Sequence, residues 1–446
     1  VQVREDLLRA LQAEPTEGSL AARYRMINAL HPAEIASLLQ SLPATQRKVL
    51  WQFIDPEMEG EVLAELEEPV RASLIREMDP QQLVAAVAHM DPDDLADLVA
   101  ELPEAVTDQL LKSMTDRDRE RLQSLLSYPE HSAGGLMNTD TVSVRPDVTV
   151  EVVLRYLRMR GELPEKTDCL FVVDAHDRYI GSVPLTRLVT EDPHRLIGDL
   201  VEPEAQTVDP DKPAHEVAQL FQDLDLISVP VVSAEGKLLG RITIDDIVDV
   251  IREEGDEAML SMAGLPTRED TFGGTATSVL RRLPWLAMSA GTALLSASII
   301  RQFEPTIQQV AVLAALMPIV ASMGGVAGTQ TVTLVIRGLA LGQVRQTNAM
   351  WLLLKEAGVG ALTGLIWAIV IGLLVMVWLG DRRIAVVMGA AMLINMLAAG
   401  TIGATIPMLL HRLRLDPALG AGVLLTTCTD IVGFATLLGV ATLVLL

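Results

Sequence analysis

Apolar positions keep three different rhythms along this chain. From residue 281 onward they run almost without interruption. Residues 283–300, 305–336, 357–380, 384–410 and 431–446 contain no Asp, Glu, Lys or Arg. A bilayer core calls for about 20 predominantly apolar residues per helix. Five spans fit, at roughly 283–303, 307–336, 351–379, 384–410 and 419–445. The second contains Gly324-Gly325-Val326-Ala327-Gly328. Such a run either interrupts a helix where backbone lines a cavity or lets helices approach closely. The pattern leaves both readings open.

Between residues 30 and 104 the rhythm is helical but broken into short pieces such as EIASLLQSL, EVLAELEE and DDLADLVAEL. His31-Pro32, Asp55-Pro56, Asp79-Pro80 and Asp91-Pro92 are spaced 24, 24 and 12, and Pro43, Pro69 and Pro103 fall near the same 12-residue grid. Asp caps a helix start and Pro suits the first turn. The expectation is a stacked, superhelical array of short helices, a small solenoid. Over about 134–252 the pattern changes again and repeats once. TVSVRPDVTVEVVLRYLR (141–158) answers QTVDPDKPAHEVAQLFQD (206–223), and CLFVVDAHDRYIGSVPLTRLV (169–189) answers SVPVVSAEGKLLGRITIDDIV (228–248). Each copy reads β-α-β-β-α, with a Gly (181 and 240) opening the last strand. This resembles a tandem pair of CBS modules (a Bateman module), an α+β fold.

Charge divides the chain the same way. Of 58 acidic and 35 basic side chains, residues 271–446 hold 5 and 10, which leaves 53 and 25 for residues 1–270. The first part is strongly anionic, which argues against nucleic acid as a partner and suits cations. Cys169 and Cys428 form no zinc or redox motif. His215-Glu216 is followed by Gln219, so no H-E-x-x-H protease pair forms, and no phosphate-binding G-x-x-x-x-G-K-[ST] occurs. No enzymatic activity is expected. The opening VQVREDLLRA is charged at once, and no cleavable leader is expected. Arg281, Arg282, Arg337, Arg345, Arg412 and Arg414 fall on one side of the membrane and Arg301, Arg382 and Arg383 on the other. That bias predicts a cell (inner) membrane protein with a cytosolic N-terminal part and an outer C-terminus.

Asp430 carries the candidate chemistry. It is the sole charge between Pro417 and Leu446, in LLTTCTDIVGF. A carboxylate at that depth costs about 3 kcal/mol on insertion scales and needs a wet path or a partner. Thr426, Thr427 and Thr429 add oxygens, and an all-oxygen set suits a hard, hydrated cation such as Mg²⁺. The plain alternative is pairing with a base, for which only Lys355 is placed. A two-fold dimer about the path would double this sparse site. Two acidic clusters stand outside the spans: Asp91, Asp93, Asp94 and Asp97, and Asp245, Asp246, Asp249, Glu253, Glu254, Asp256 and Glu257. Asp246, Asp249 and Glu253 share a helix face. Either these are solvated faces at helix starts, or divalent cations bridge them.

The order of parts resembles the MgtE family of magnesium channels across nearly the whole chain. The most specific matches are His131-Ser132-Ala133-Gly134-Gly135-Leu136-Met137, the Gly324, Gly325, Ala327, Gly328, Gln330 segment, Leu415-Asp416-Pro417-Ala418, and Asp430. The resemblance implies a helical domain (1–132), two CBS modules (133–195 and 196–252), a connecting plug helix (253–280) and five membrane helices (281–446). It implies a homodimeric Mg²⁺ channel in which Asp430 binds hydrated Mg²⁺. Glu61, Asp93, Asp225, Asp246, Asp249 and Glu254, with Asp416 at the membrane edge, would take regulatory Mg²⁺ and close the pore when cytosolic Mg²⁺ is high. ATP at the CBS modules, a nucleotide sensor on a membrane anchor, and an exchanger coupled to Na⁺ or protons are the alternatives. Val326 stands where many members carry Asn, and Pro213 and Ala258 stand where some carry acids.

Overall fold

A computed structural model describes residues 23–446 apart from 77, 88–89, 91, 103, 165, 203–205, 266–268, 346 and 419, and apart from the side chains of 80, 92, 93, 100, 101, 104, 105, 109, 113, 117 and 118. The chain forms two units. The first runs to Gly255 and takes in Asp270–Gly273; the second comprises Asp256–Glu269 and Gly274–Leu446.

The first unit opens with short helices: α1 (Pro32–Gln40), α2 (Ala44–Trp51), α3 (Glu59–Ala64), α4 (Glu68–Ile75), α5 (Pro80–Val87), α6 (Pro92–Glu101), α7 (Glu104–Ser113) and α8 (Asp116–Leu125). Their starts keep close to the 12-residue grid. α1 packs on α3, α3 on α5, α5 on α7 and α6 on α8. The odd-numbered helices therefore stack each on the next odd one, as α6 does on α8, a repeat two helices long. His31 and Asp79, each followed by Pro, cap helix starts, whereas Asp55-Pro56 opens a turn ahead of α3. His31 Nδ1 accepts from the Ala33 amide at 3.4 Å, while Glu34 accepts from the His31 amide at 3.2 Å, a reciprocal box that satisfies two orphan donors. Asp79 accepts from the Gln81 amide at 2.8 Å. The inward faces (Ile35, Leu38, Leu39, Leu50, Leu63) are fully covered.

After the short α9 (Ala133–Leu136) come β1 (Ser143–Val144), α10 (Val150–Arg160), β2 (Cys169–Val173), β3 (Tyr179–Pro184) and α11 (Leu185–Thr190). The second copy supplies α12 (Ala214–Leu224), β4 (Ser228–Val232), β5 (Leu238–Thr243) and α13 (Ile244–Met262). β1 runs parallel to β2, β2 antiparallel to β3, and β4 antiparallel to β5. The repeat holds down to the register. Cys169 pairs with Pro184 as Ser228 pairs with Thr243, and a bulge falls at Val172/Val173 and again at Val231/Val232. The two glycines also have one cause. A Cβ on Gly181 would lie 2.7 Å from the Glu202 carbonyl oxygen, and one on Gly240 would lie 2.7 Å from that of Asn138. In each copy the segment leading into the other copy crosses there, as the bridges Ser182–Glu202 and Asn138–Arg241 record.

The second unit holds α14 (Thr275–Gln302), α15 (Glu304–Gln309), α16 (Val312–Ala340), α17 (Ala349–Leu379), α18 (Arg382–Arg412) and α19 (Ala421–Leu445). All but α15 are long and apolar enough to cross a membrane. Two starts differ from expectation. α14 begins at Thr275 because the helix continues beyond the apolar zone through Arg281 and Arg282. The second span begins at Val312 because Glu304 and Pro305 start a separate helix, and Val310 (φ −129°, ψ 69°) leaves helical geometry. The glycine run does not interrupt α16, which corrects one of the two readings. A Cβ on Gly324 would lie 2.3 Å from Asn395 Nδ2, and one on Gly328 would lie 2.7 Å from Leu425 Cδ1. The glycines therefore serve close helix approach. α18 is the central helix, packed by α16, α17 and α19.

Residues 270–273 belong to the first unit through one ion pair. Arg47, 1% exposed, lies under Asp270 in a two-pronged contact, with Nη2 2.8 Å from Oδ1, and its Nε donates to the Leu39 carbonyl at 3.0 Å. Removing one partner of a buried pair strands the other charge and costs about 3–5 kcal/mol. Arg47→Met should lower the urea midpoint of the first unit accordingly, followed in detergent-solubilised full-length protein. An unchanged midpoint would contradict this role.

Candidate functional site

α16 and α19 line an open, groove-like cavity of about 510 Å³. α16 contributes Ala321, Ser322, Gly325, Val326, Thr329 and Gln330; α19 contributes Thr426 and Asp430. Steps of three and four place each set on one helix face. A Cβ on Gly325 would meet open space, so this glycine faces the cavity while Gly324 faces α18. Thr329 donates its hydroxyl hydrogen to the Gly325 carbonyl at 2.9 Å, and Thr426 donates to that of Gly422 at 3.0 Å. With the hydrogen spent on the helix, each oxygen keeps a lone pair that can accept from a bound water or meet a cation. Among the described residues nothing donates to or pairs with Asp430. Lys355, the one base that could have done so, is 2.8 Å from Glu356 instead.

Of the residues expected to line a pore, some border this cavity and others do not. Asp430, Thr426, Gly325 and Gln330 line the cavity. Thr427 and Thr429 do not: they lie on other faces of α19, and Thr429 is fully buried. Gly324 and Gly328 sit in helix contacts. Ser322 and Thr329 were not anticipated, although their spacing from Gln330 could have shown them. Val326 also lines the cavity. Glu356, 4% exposed within α17, was missed because charge counting treats an acid near a span's end as a flank.

The acids of the first unit are only partly brought together. Asp97 of α6 and Asp246 of α13 lie close enough to feel each other's charge. Burial pushes the Asp97 carboxyl up to about 7; Arg71 opposes the shift, and Glu130, Asp94 and Asp246 add to it. Burial likewise pushes Asp246 up to about 7, with Asp245 and Asp94 adding, although the Thr243 amide donates to it at 3.2 Å. Burial raises Asp249 against Arg252. Asp245 is neutralised by Lys166. Glu61 and Asp94 are exposed, as are Glu253 and Glu254 on α13, whereas Glu257 is half-buried. Asp225 closes α12 in the left-handed conformation (φ 51°, ψ 44°). Asp416 is exposed and accepts from the Ala418 amide at 2.8 Å. Asp91 and the side chain of Asp93 lie outside the described residues. Among the described residues of one chain no three His, Cys, Asp or Glu side chains converge to hold a metal ion.

Comparison with known proteins follows the same division. The family pattern described as a divalent cation transporter (MgtE) matches residues 317–440, the MgtE intracellular N domain matches 30–131, and the CBS domain matches 133–193 and 197–253. The magnesium transporter MgtE of Thermus thermophilus is 32% identical over 449 residues, covering 99% of both chains. That of Bacillus subtilis is 29% identical, over 96% of this chain and 94% of its own. Among solved structures, the cytosolic domain of the Mg²⁺ channel MgtE in complex with ATP is 32% identical, with a TM-score of 0.50 over 55% of this chain and 99% of that one. Over its whole length, then, this chain belongs to the MgtE family.

Proposed function

We propose that the protein conducts Mg²⁺ passively across a membrane past Asp430, and that cytosolic Mg²⁺ bound by acids of the first unit closes the path. The observation that carries this reading is the unpartnered Asp430 carboxylate in a cavity whose other polar groups present oxygen. A hard cation keeps much of its water and is held through oxygens, so a single carboxylate with hydroxyl and carboxamide neighbours suits hydrated Mg²⁺. The membrane potential supplies about 2.3 kcal/mol per charge per 100 mV for entry, so no other energy source is required. The magnesium transporters among its relatives support the choice of ion. A homodimer about the path would place two Asp430 side chains there. The outward apolar face of α14, where Ser296 is the buried side chain among the described residues, is free to meet lipid or that second copy. The Arg distribution supports a cytosolic first unit and a C-terminus on the far side.

The regulatory reading rests on α13. Its first turns carry Asp246 and Asp249, and its end, at Met262, lies against Gly422 in the helix of Asp430. Trp285 of α14 packs against Gly264 and Gly420. Divalent cations that neutralise Asp94, Asp97 and Asp246 would favour one position of α13, and its other end would carry this to α14 and α19. ATP is proposed as a ligand of the CBS pair, in line with the relative crystallised with it.

Two measurements test these statements. In proteoliposomes loaded with a fluorescent Mg²⁺ indicator, Asp430→Ala should reduce influx to the protein-free background while Asp430→Glu retains part of it; wild-type influx in Asp430→Ala would end the reading. The second concerns stability. Between about pH 4 and 7 the folded unit holds protons on Asp97 and Asp246 that the unfolded chain has released. Without divalent cation, stability should therefore fall as pH rises through that window. Mg²⁺ should raise the unfolding midpoint, and more at about pH 8 than at about pH 5.5, where protons compete. Asp97→Asn with Asp246→Asn should flatten both trends. A midpoint indifferent to Mg²⁺ at both pH values would refute cation bridging.

A further inference from the structure

Two of the polar side chains buried in the second unit reach α16 from neighbouring helices and are not used by conduction past Asp430. Glu356 of α17 is 4% exposed and Asn395 of α18 is fully buried. Glu356 accepts from Lys355 Nζ at 2.8 Å and, with its other oxygen, from the Thr331 hydroxyl of α16 at 3.3 Å. Asn395 donates through Nδ2 to the Val320 carbonyl of α16 at 2.9 Å. Both contacts end on α16, and their positions there bracket the wall of the cavity. The lining stretch runs from Ala321 to Gln330, with Val320 just before it and Thr331 just after.

Glycines make both contacts possible. A Cβ on Gly324 would lie 2.3 Å from Asn395 Nδ2, so the amide reaches α16 only across that glycine. Near the other contact, a Cβ on Gly400 would lie 2.6 Å from the Glu356 carbonyl oxygen, and one on Gly403 would lie 2.9 Å from that of Gly328 and 3.1 Å from Thr331 Cβ. α16, α17 and α18 thus meet at backbone distance around Glu356. Seven residues separate Glu356 from the start of α17 at Ala349, about 10 Å along the axis. A buried charge there is a poor stabiliser, since well-packed apolar side chains generally do as well. What it adds is direction: a hydrogen bond fixes the rotation of α16, which apolar packing fixes weakly. Residues along a helix are turned about 100° from one to the next. Thr331 held toward Glu356 therefore determines where Gln330 and Thr329 point.

The geometry points to Glu356 and Asn395 as positioning residues that clamp the cavity-lining stretch of α16 at its two ends and so set the discrimination among divalent cations. This deepens the reading of Asp430 as the cation contact and rests on it. Neither residue touches the ion. Each acts through α16, holding the Thr329 and Gln330 oxygens opposite Asp430 at a distance suited to one hydrated radius. A loosened α16 would let those oxygens move, and small misplacements of positioned groups carry large penalties in rate.

The test measures influx of Mg²⁺, Mn²⁺ and Co²⁺ in proteoliposomes of full-length protein, normalised to folded protein by size-exclusion profile and unfolding midpoint. Thr331→Val removes the hydroxyl at nearly constant shape, and Glu356→Asp shortens the acid out of reach. Each should lower Mg²⁺ influx by about tenfold and bring the Mg²⁺/Mn²⁺ and Mg²⁺/Co²⁺ ratios together. The double variant should be no worse than either single one, because both break one contact. Thr331→Ser, which keeps the hydroxyl, should restore influx and ratios. Asn395→Leu should shift the ratios in the same direction. Variants that are less stable but keep wild-type influx and ratios per folded molecule would reduce both residues to packing and overturn the inference. Asp430→Ala runs alongside. If it retains influx, the pore reading itself fails; if it abolishes influx while the clamp variants behave as wild type, only this inference fails.

Discussion

A carboxylate inside the apolar zone of a membrane needs a counter-charge, a donor or water, and the second unit answers that need in two opposite ways. Glu356 is closed off, with Lys355 on one oxygen and Thr331 on the other. Asp430 is left open, with a cavity in front of it that Thr329 and Thr426 also line. The same functional group is therefore structural in one place and available in the other. Only the second arrangement leaves a charge for something mobile to satisfy. The desolvation cost of Asp430 makes the cavity necessary, and the cavity in turn makes a hydrated cation the fitting occupant.

Small residues make the rest of the unit conform to that cavity. Gly360, Gly400 and Gly403 let α18 come within backbone distance of α17 and α16, while Gly324 and Gly328 receive the Asn395 and Leu425 side chains. Without a hydrophobic force between helices in lipid, such close packing and a few interhelical hydrogen bonds do the holding. Gly325 differs from its neighbour Gly324 only in helix face, and one lines the open space while the other receives the Asn395 amide. Val326 makes part of that wall apolar.

The sequence made the five spans and the CBS repeat readable because each depends on a local property. Spans are runs without charge, and the strand pattern of 169–184 recurs at 228–243 with the same bulge. The 12-residue grid of prolines marks helix starts for the same reason, since Pro and its capping neighbour act within one turn. What could not be read was tertiary. The glycine run looked equally like a break and a packing surface, because only the partners Asn395 and Leu425 decide between them. Thr427 and Thr429 were indistinguishable from Thr426 without the facing of α19. The two acidic clusters of α6 and α13 looked separate; the fold brings Asp97 and Asp246 near each other, while Glu61, Glu253 and Glu254 remain on the surface. Glu356 sat in plain view at the edge of a predicted span, and its role depended on Thr331, 25 residues earlier in sequence and on another helix.

The central claim is that Asp430 faces a wet path and meets the cation there. Anomalous scattering from crystals of the full-length protein grown with Mn²⁺, as a stand-in for Mg²⁺, addresses it most directly. The account expects a peak in the cavity between Asp430 and the Thr329–Gln330 stretch, lost in Asp430→Ala crystals grown the same way. A cavity without Mn²⁺ in the wild type, or an undiminished peak in the variant, would contradict it.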